Sequence, residues 1–339
     1  MKRWHILNNM RDFINQIVNK NKSVIILSLV FTLLLSGCRS MIRHDKKETV
    51  FATGGTSGTY FSVGDNMATI LNPRFSDKTL TVLSTGGSGE NLQLLSEHKV
   101  GLAVVQNDVM YYAYSGTDIY SDAGENKEFS AVAGLYNECV QIVTCKDNIS
   151  SVMDLRGKIV SVGDIGSGVE FNARQLLDSY GLTFSDIRVV NASFADSAEG
   201  LLNGTIDAAF IVSGAPTKAV SDLSEKKNIH LVSIDDDQIR ILHDKYGFYT
   251  KATVPSGTYS GLTSDVDTVA IRATLVASNK MSEDDVYELL TLLFNEKDRL
   301  SAGESRFSEL DLNNVKNGIS IPFHKGAVKY YREQGLEGF

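Results

Sequence analysis

The chain has 339 residues, a hydrophobic fraction of 42% and only 4 prolines. These values exclude a mainly disordered protein and are typical of about two globular domains. The formal charge is 33 − 41 = −8, and residues 1–37 hold five basic groups and one acid, which leaves 28 − 40 = −12 for the remainder. A body this acidic repels nucleic acid and anionic lipid on average, although a local pocket can still hold an anion.

The first predicted element is an export signal. Residues 24–35 form an apolar run of 12 residues with basic residues before it and small residues after it. This run is too short to span a bilayer, which takes about 20 residues, and its flanks are those of a signal peptide. It ends in Leu-Ser-Gly-Cys at Cys38, which resembles a bacterial lipobox. We therefore expect a lipoprotein signal peptide over 1–37, lipidation at Cys38 and a tether over 38–48; the alternative is an uncleaved anchor helix.

From Thr49 onward one pattern repeats: a short β-rich run, a loop of glycine and hydroxyl residues, and then an amphipathic helix. The main predicted strands are 49–53, 79–84, 101–105, 139–145, 158–162, 187–191, 207–212 and 268–277. Strands that alternate with helices predict an α/β fold with largely parallel sheets. The order of the elements predicts two lobes with a cleft between them. One lobe is 49–136 with 251–339, and the other is 137–250.

Neither a disulfide nor a metal site is expected. Cys139 and Cys145 share one face of a predicted strand, about 20 Å apart, which is too far for a disulfide. We expect both to be small buried hydrophobic residues. The six histidines are scattered along the chain, so no zinc site is predicted.

Three glycine-rich loops point to a binding site. Residues 54–59, 85–89 and 163–168 each join a predicted strand to a predicted helix. Such a loop presents backbone N–H groups at a helix N-terminus, where the helix dipole favours an anion. One such loop is more often structural, and Ser167 with Glu170 also fits a simple helix cap. Three loops at the same ends of their strands favour a shared site.

The sequence gives no support for catalysis. It lacks the glycine-rich nucleotide-binding motifs and the nucleophile elbow. Asp108 and Glu138 are single acids that do not form an evident pair. Glu138 has two interpretations: it accepts a hydrogen bond from a ligand ammonium, or it forms a salt bridge at a hinge. We expect no enzyme activity and no cofactor.

Six segments suggest a family. They are TGGTSGTYFSVG (53–64), STGGSGENLQLL (84–95), VVQNDVMYYAYSG (104–116), VSVGDIGSGVEFNAR (160–174), AAFIVSGAPT (208–217) and FHKGAVKYYREQGL (323–336). In this order they resemble the TAXI family, the TRAP-associated extracytoplasmic immunogenic proteins. The resemblance implies a type II periplasmic-binding-protein fold that closes on glutamate, a related amino acid or a dicarboxylate. The chain departs from the family pattern at Ser57 and Asn137, and these two departures put the ligand preference in doubt.

The resemblance also implies site residues and partners. The ligand-binding residues carried over are Gly55, Thr56, Ser57, Gly58, Thr59, Tyr60, Gly87, Ser88, Gln106, Asp108, Glu138, Ser167, Gly168, Asn172, Ser213, Gly214, Ala215 and Pro216. The implied protein is extracytoplasmic and lipid-anchored, and it delivers its solute to the membrane permease subunits of a tripartite ATP-independent periplasmic (TRAP) transporter. The alternatives are a sensor lipoprotein for the same ligands and a small dehydratase-like enzyme on the same fold.

Overall fold

The computed structural model describes residues 9–16 and 46–339. The chain divides into two compact units, Met1–Lys46 and Lys47–Phe339, and residues 9–16 of the first unit are helical. The predicted signal peptide's apolar run and Cys38 lie outside the described residues. Within the described ranges, no helix is both long enough and apolar enough to cross a bilayer. The predicted tether ends slightly earlier than expected, because the first strand already begins at Lys47.

One sheet of ten strands organises the second unit. The strands are β1 Lys47–Ala52, β2 Lys78–Leu83, β3 Leu102–Gln106, β4 Phe129–Thr144, β5 Ile159–Ser161, β6 Arg188–Val190, β7 Ala208–Ser213, β8 His230–Leu231, β9 Thr250–Val254 and β10 Val266–Ser278. Their order across the sheet is β2-β1-β3-β10-β4-β7-β5-β6, with β8 beside β4 and β9 beside β10. Strands β1, β2 and β3 are parallel at one end, as are β5, β6 and β7 at the other.

The middle of the sheet differs from the predicted largely parallel arrangement. The two long strands β4 and β10 pair antiparallel with each other. Strand β4 also pairs antiparallel with β7, and β10 with β3. Only the second half of β4 was predicted, because Gly134 and Asn137 interrupt the first half with residues that are uncommon in strands. Gly134 is needed there: a Cβ on it would lie 3.2 Å from both the Arg272 side chain and the Val315 carbonyl oxygen.

Ten α-helices of the second unit pack beside this sheet. They are α1 Thr59–Leu71, α2 Ser88–Ser96, α3 Asn107–Ser115, α4 Gly168–Ser179, α5 Phe194–Asn203, α6 Lys218–Ser224, α7 Asp236–Tyr246, α8 Glu283–Asn295, α9 Lys297–Gly303 and α10 Lys325–Glu333. Helices α8 and α9 are separated only by Glu296, whose backbone leaves the helical region. Ser282 caps α8 by accepting a hydrogen bond from the Asp285 N–H, as expected for a hydroxyl before an acidic first turn.

Two large apolar clusters hold the helices against the sheet. One includes Met67 and Leu289, and the other includes Leu176 and Phe210. The predicted lobe boundaries at 137 and 251 fall inside β4 and β9. The two predicted lobes therefore share strands of one sheet.

The two described cysteines are less buried than predicted. Cys139 and Cys145 are free thiols that are only partly buried, and both pack against an apolar cluster. Burial raises the pKa of the Cys139 thiol to about 11, so this thiol is protonated and unreactive at neutral pH. No group of acids, histidines and cysteines in the described part of the chain could hold a metal ion.

Candidate functional site

The glycine-rich loops meet around one cavity that is partly open to solvent. Its volume, counted as the space that the centre of a water molecule can reach, is about 60 Å³. On this measure one water needs at least about 10–15 Å³, so the cavity has room for several waters or one small solute. The lining residues are Gly54, Gly55, Gly58, Thr59, Tyr60, Gly86, Gly87, Ser88, Gln106, Glu138, Asp164, Ser167, Gly168, Val169, Ser193, Phe194, Val212 and Ser213.

Four helix N-termini face this cavity. They belong to α1, α2, α4 and α5, and each follows a strand of the sheet. Helices α4 and α5 are capped by their own serines: Ser167 accepts from the Glu170 N–H and Ser193 from the Asp196 N–H. The N-caps of α1 and α2 are Gly58 and Gly87, and neither helix has a side-chain cap. These two uncapped N-termini are therefore the best placed to bind an anionic group.

Glu138 lies at the cavity with a hydroxyl partner instead of a cation. The Tyr60 hydroxyl donates to Glu138 Oε2 at 2.8 Å, and Glu138 is 2% exposed. Burial, helped by the charge of Asp108, raises the pKa of Glu138 well above its ordinary value. Of the two interpretations of Glu138, the hinge salt bridge has no counterpart among the described residues, and the carboxyl can face a ligand cation.

Gln106 offers a second acceptor. Its Oε1 atom is buried and has no hydrogen-bond partner among the described residues. The amide fits against Gly168, where a Cβ would lie only 1.7 Å from Gln106 Oε1. Because a buried unpaired oxygen is costly, this atom is suited to accept from a donor on a bound molecule.

The lining contains two carboxyl side chains. Glu138 and Asp164 line the cavity, while no lysine, arginine or histidine does so in the described part of the chain. Burial, with Asp196 and Glu90 nearby, raises the pKa of the Asp164 carboxyl. The site thus combines carboxyl groups at two points with helix N-termini at others, which suits a small molecule that carries both signs of charge.

One hydroxyl pair joins the two sides of the cavity. Thr59 Oγ1 lies 2.7 Å from Ser213 Oγ, and the Thr59 N–H donates to the same serine oxygen at 3.3 Å. Thr59 opens α1 and Ser213 ends β7. The contact therefore links two lining residues across the cavity, and Ser213 satisfies the first backbone N–H of α1.

The structure places eleven of the predicted ligand-binding residues in the lining. They are Gly55, Gly58, Thr59, Tyr60, Gly87, Ser88, Gln106, Glu138, Ser167, Gly168 and Ser213. The other seven lie outside it: Thr56, Ser57, Asp108, Asn172, Gly214, Ala215 and Pro216. Thr56 and Ser57 are on the outer side of their loop, where the Ser57 carbonyl accepts from the Ala219 N–H.

Asp108 and Asn172 lie behind the cavity in a buried polar network. Asn172 Nδ2 donates to Asp108 Oδ2 and to the Tyr249 hydroxyl, each at 2.9 Å. Tyr249 in turn donates to Gln175 Oε1 at 2.6 Å. Burial raises the pKa of Asp108 to about 6. These side chains support the wall of the site and do not face its interior.

Several lining residues were not predicted. Ser193 and Phe194 begin α5 after a strand whose loop contains no glycine, so a search for glycine-rich loops passes over them. A detectable signal exists, because Ser193 followed by Asp196 is a helix-start pattern. Asp164, Val169 and Val212 line the cavity as well, and each adjoins a predicted site segment.

Many solved structures resemble this chain, and they include the following three. A binding-protein component of an ABC phosphonate transporter from Pseudomonas aeruginosa has a TM-score of 0.51 and 12% identity, with coverage of 86% of this chain and 96% of that one. The periplasmic aliphatic sulphonate binding protein from Escherichia coli has a TM-score of 0.48 and 13% identity, and the match covers 85% of this chain and 83% of that one. The GluR0 ligand-binding core from Nostoc punctiforme, in complex with L-glutamate, has a TM-score of 0.44 and 15% identity, and the match covers 77% of this chain and 98% of that one.

The strand arrangement and the likeness to the phosphonate-transporter component define the class: the protein has the type II periplasmic-binding-protein fold, as predicted. The model of the NMT1-like family matches residues 51–335. The chain belongs to the NMT1-like family. This match spans every lining residue of the cavity.

Proposed function

We propose that this protein is a solute-binding protein that encloses one small molecule with a carboxylate and an ammonium group, such as glutamate or a related amino acid. The observation that carries the proposal is the composition of the cavity. The N-termini of α1 and α2, which have no side-chain cap of their own, lie at the cavity beside Gly58 and Gly87, while Glu138 and Gln106 provide acceptors.

The carboxylate of the solute binds at the N-termini of α1 and α2. Backbone N–H groups and two helix dipoles stabilise an anion there without a basic side chain. The hydroxyls of Thr59 and Ser88 are beside these N-termini and can add donors. This arrangement replaces the arginine that would otherwise neutralise a buried carboxylate.

The ammonium group of the solute binds between Glu138 and Gln106. A buried carboxyl with no cation is held neutral, and an incoming ammonium supplies the missing positive charge. A dicarboxylate lacks this group and would bring a further negative charge toward Glu138 and Asp164. The site therefore favours an amino acid over a dicarboxylate, which sharpens the ligand class implied by the sequence.

Ligand binding is coupled to closure of the two predicted lobes. Contacts such as Thr59–Ser213 and Asp108–Asn172 link residues of 49–136 to residues of 137–250. A ligand that contacts both sides stabilises the closed state by its differential affinity for that state.

The solute is passed to membrane permease subunits. The TAXI-like motifs support a TRAP transporter, while one of the similar solved structures is described as a binding-protein component of an ABC phosphonate transporter. A permease partner identified by cross-linking in membranes separates the two, since only an ABC system includes an ATPase. In either case we propose an extracytoplasmic location with a lipid anchor at Cys38.

Native mass spectrometry of the purified protein, followed by thermal-shift measurements with amino acids and dicarboxylates, tests the proposed ligand class. We expect a copurified or added amino acid to raise the unfolding midpoint, and a tighter ligand at the same concentration to raise it further. If no amino acid stabilises the protein, or if turnover of the bound molecule is detected, this function is wrong.

A further inference from the structure

Phe194 supplies the largest wholly apolar side chain of the cavity lining. It is the first residue of α5, and its ring lies against the start of α1. A Cβ placed on Gly58, the N-cap of α1, would be 3.3 Å from Phe194 Cδ2 and 3.4 Å from Phe194 Cε2. The edge of the ring therefore stands beside the helix N-terminus at which the carboxylate of the solute is proposed to bind.

The first turn of α5 holds this ring in place. Ser193 caps the helix by accepting a hydrogen bond from the Asp196 N–H. The Ser197 hydroxyl lies 2.7 Å from the hydroxyl of Ser161 in β5, and both serines are buried. The ring itself packs against two apolar clusters. Because neighbours fix both the backbone and the ring, Phe194 is a rigid boundary that does not move aside without cost.

The apolar part of the lining offers nothing to a carboxylate. Besides Phe194 it consists of Val169 and Val212, which are both buried. None of these three side chains can donate a hydrogen bond. A solute with a longer carbon chain would push its carboxylate past the start of α1 and against the ring, where the carboxylate loses the backbone donors of the helix.

We infer that Phe194 is the residue that sets the maximum length of the solute: the site accepts a carbon chain as long as that of glutamate and rejects a chain with one more methylene group. The inference deepens the proposed function and rests on it. The small cavity, with about 60 Å³ for the centre of a water molecule, makes the limit sharp. One methylene group more than a pocket holds changes binding by about 10- to 200-fold.

Calorimetry with ligands that differ by one methylene group tests this limit. L-Glutamate is compared with L-2-aminoadipate, and glutarate is compared with adipate, which have the same two chain lengths without the ammonium group. In wild type we expect the shorter ligand of a pair to bind at least about 10-fold more tightly than the longer one. Phe194→Ala removes the ring and should reduce this ratio of affinities at least about 10-fold. Phe194→Leu keeps an apolar contact and should reduce the ratio less.

Phe184→Ala is the matched control. Phe184 is half-buried and packs against one of the same apolar clusters, but it does not line the cavity, so this variant should keep the wild-type ratio. An unchanged ratio in both Phe194 variants would overturn the inference, even where L-glutamate binds as proposed. If wild type binds glutarate but not L-glutamate, and Phe194→Ala admits adipate, the length limit stands and the proposed amino-acid class is wrong. If neither wild type nor the variants bind any of the four ligands, the inference is wrong.

Discussion

The Tyr60 hydroxyl donates a hydrogen bond of 2.8 Å to the buried carboxyl of Glu138. The partner of Glu138 in this pair is a neutral hydroxyl group. Glu138 therefore has no positively charged partner among the described residues. In the empty site the raised pKa of Glu138 favours the neutral acid. A ligand ammonium reverses that preference, and this is the physical basis of the proposed selectivity.

Glu138→Gln should weaken ligand binding without harming the fold. Glutamine keeps the shape and the bond from Tyr60 but cannot neutralise an ammonium group. A hydrogen bond to a charged group contributes about 1.5–3 kcal/mol, so we expect a loss of affinity of about 10- to 100-fold by calorimetry. Glu225→Gln, at an exposed acid just after α6, is the control and should bind as wild type does.

Asp108→Asn should stabilise the ligand-free protein at neutral pH. The pKa of Asp108 is raised from 3.8 to about 6, so the folded chain holds this proton more tightly than the unfolded chain does. The contribution of Asp108 to stability is therefore lost as pH rises from about 4 to 6. Replacing this carboxyl should raise the free energy of unfolding by up to about 3 kcal/mol at pH 7 and by little at pH 4.

Urea denaturation at both pH values checks this expectation. The comparison is Asp118→Asn, an exposed acid close to Asp108. Both variants lose one negative charge, but only the first removes a buried carboxyl. If the free energy of unfolding depends on pH in the same way in both variants, Asp108 is not the buried titrating group that the structure indicates.

Ser213→Ala should loosen the closed state. It removes the oxygen that lies 2.7 Å from Thr59 Oγ1 and that accepts from the Thr59 N–H. A neutral hydrogen bond contributes about 1 kcal/mol, which corresponds to an affinity loss of about five-fold. Small-angle scattering should also show a larger mean radius with bound ligand. Unchanged affinity and radius would mean that this hydroxyl pair does not hold the site closed.

Cys38→Ser should release the protein from membranes. Acyl chains on Cys38 would give stable anchoring that no described helix can provide. Fractionation of cells that express wild type and variant measures this directly, with the soluble share rising in the variant. Retention of the variant in the membrane fraction would contradict lipidation at this cysteine.

The sequence predicted the convergence of the glycine-rich loops but not the whole lining. The loops 54–59 and 85–89 follow the parallel strands β1 and β2, so their meeting at one edge was predictable. Loop 163–168 follows β5, which runs opposite to β1 and β2 in the sheet, so its place at the same cavity depends on long-range folding. The position of Asp108 depends on how α3 packs against α4, a long-range contact that local patterns do not encode. Phe194 was missed for a similar reason, since it reaches the cavity by packing against Gly58.

The central claim is that the cavity selects an ammonium group through Glu138, and calorimetry with a matched pair of ligands tests it most directly. L-glutamate and 2-oxoglutarate have the same carbon chain and the same two carboxylates, and they differ in whether an ammonium or a keto group is present. The account predicts that L-glutamate binds wild type at least about 10-fold more tightly, and that Glu138→Gln removes most of this difference. Equal or tighter binding of 2-oxoglutarate by wild type would contradict it.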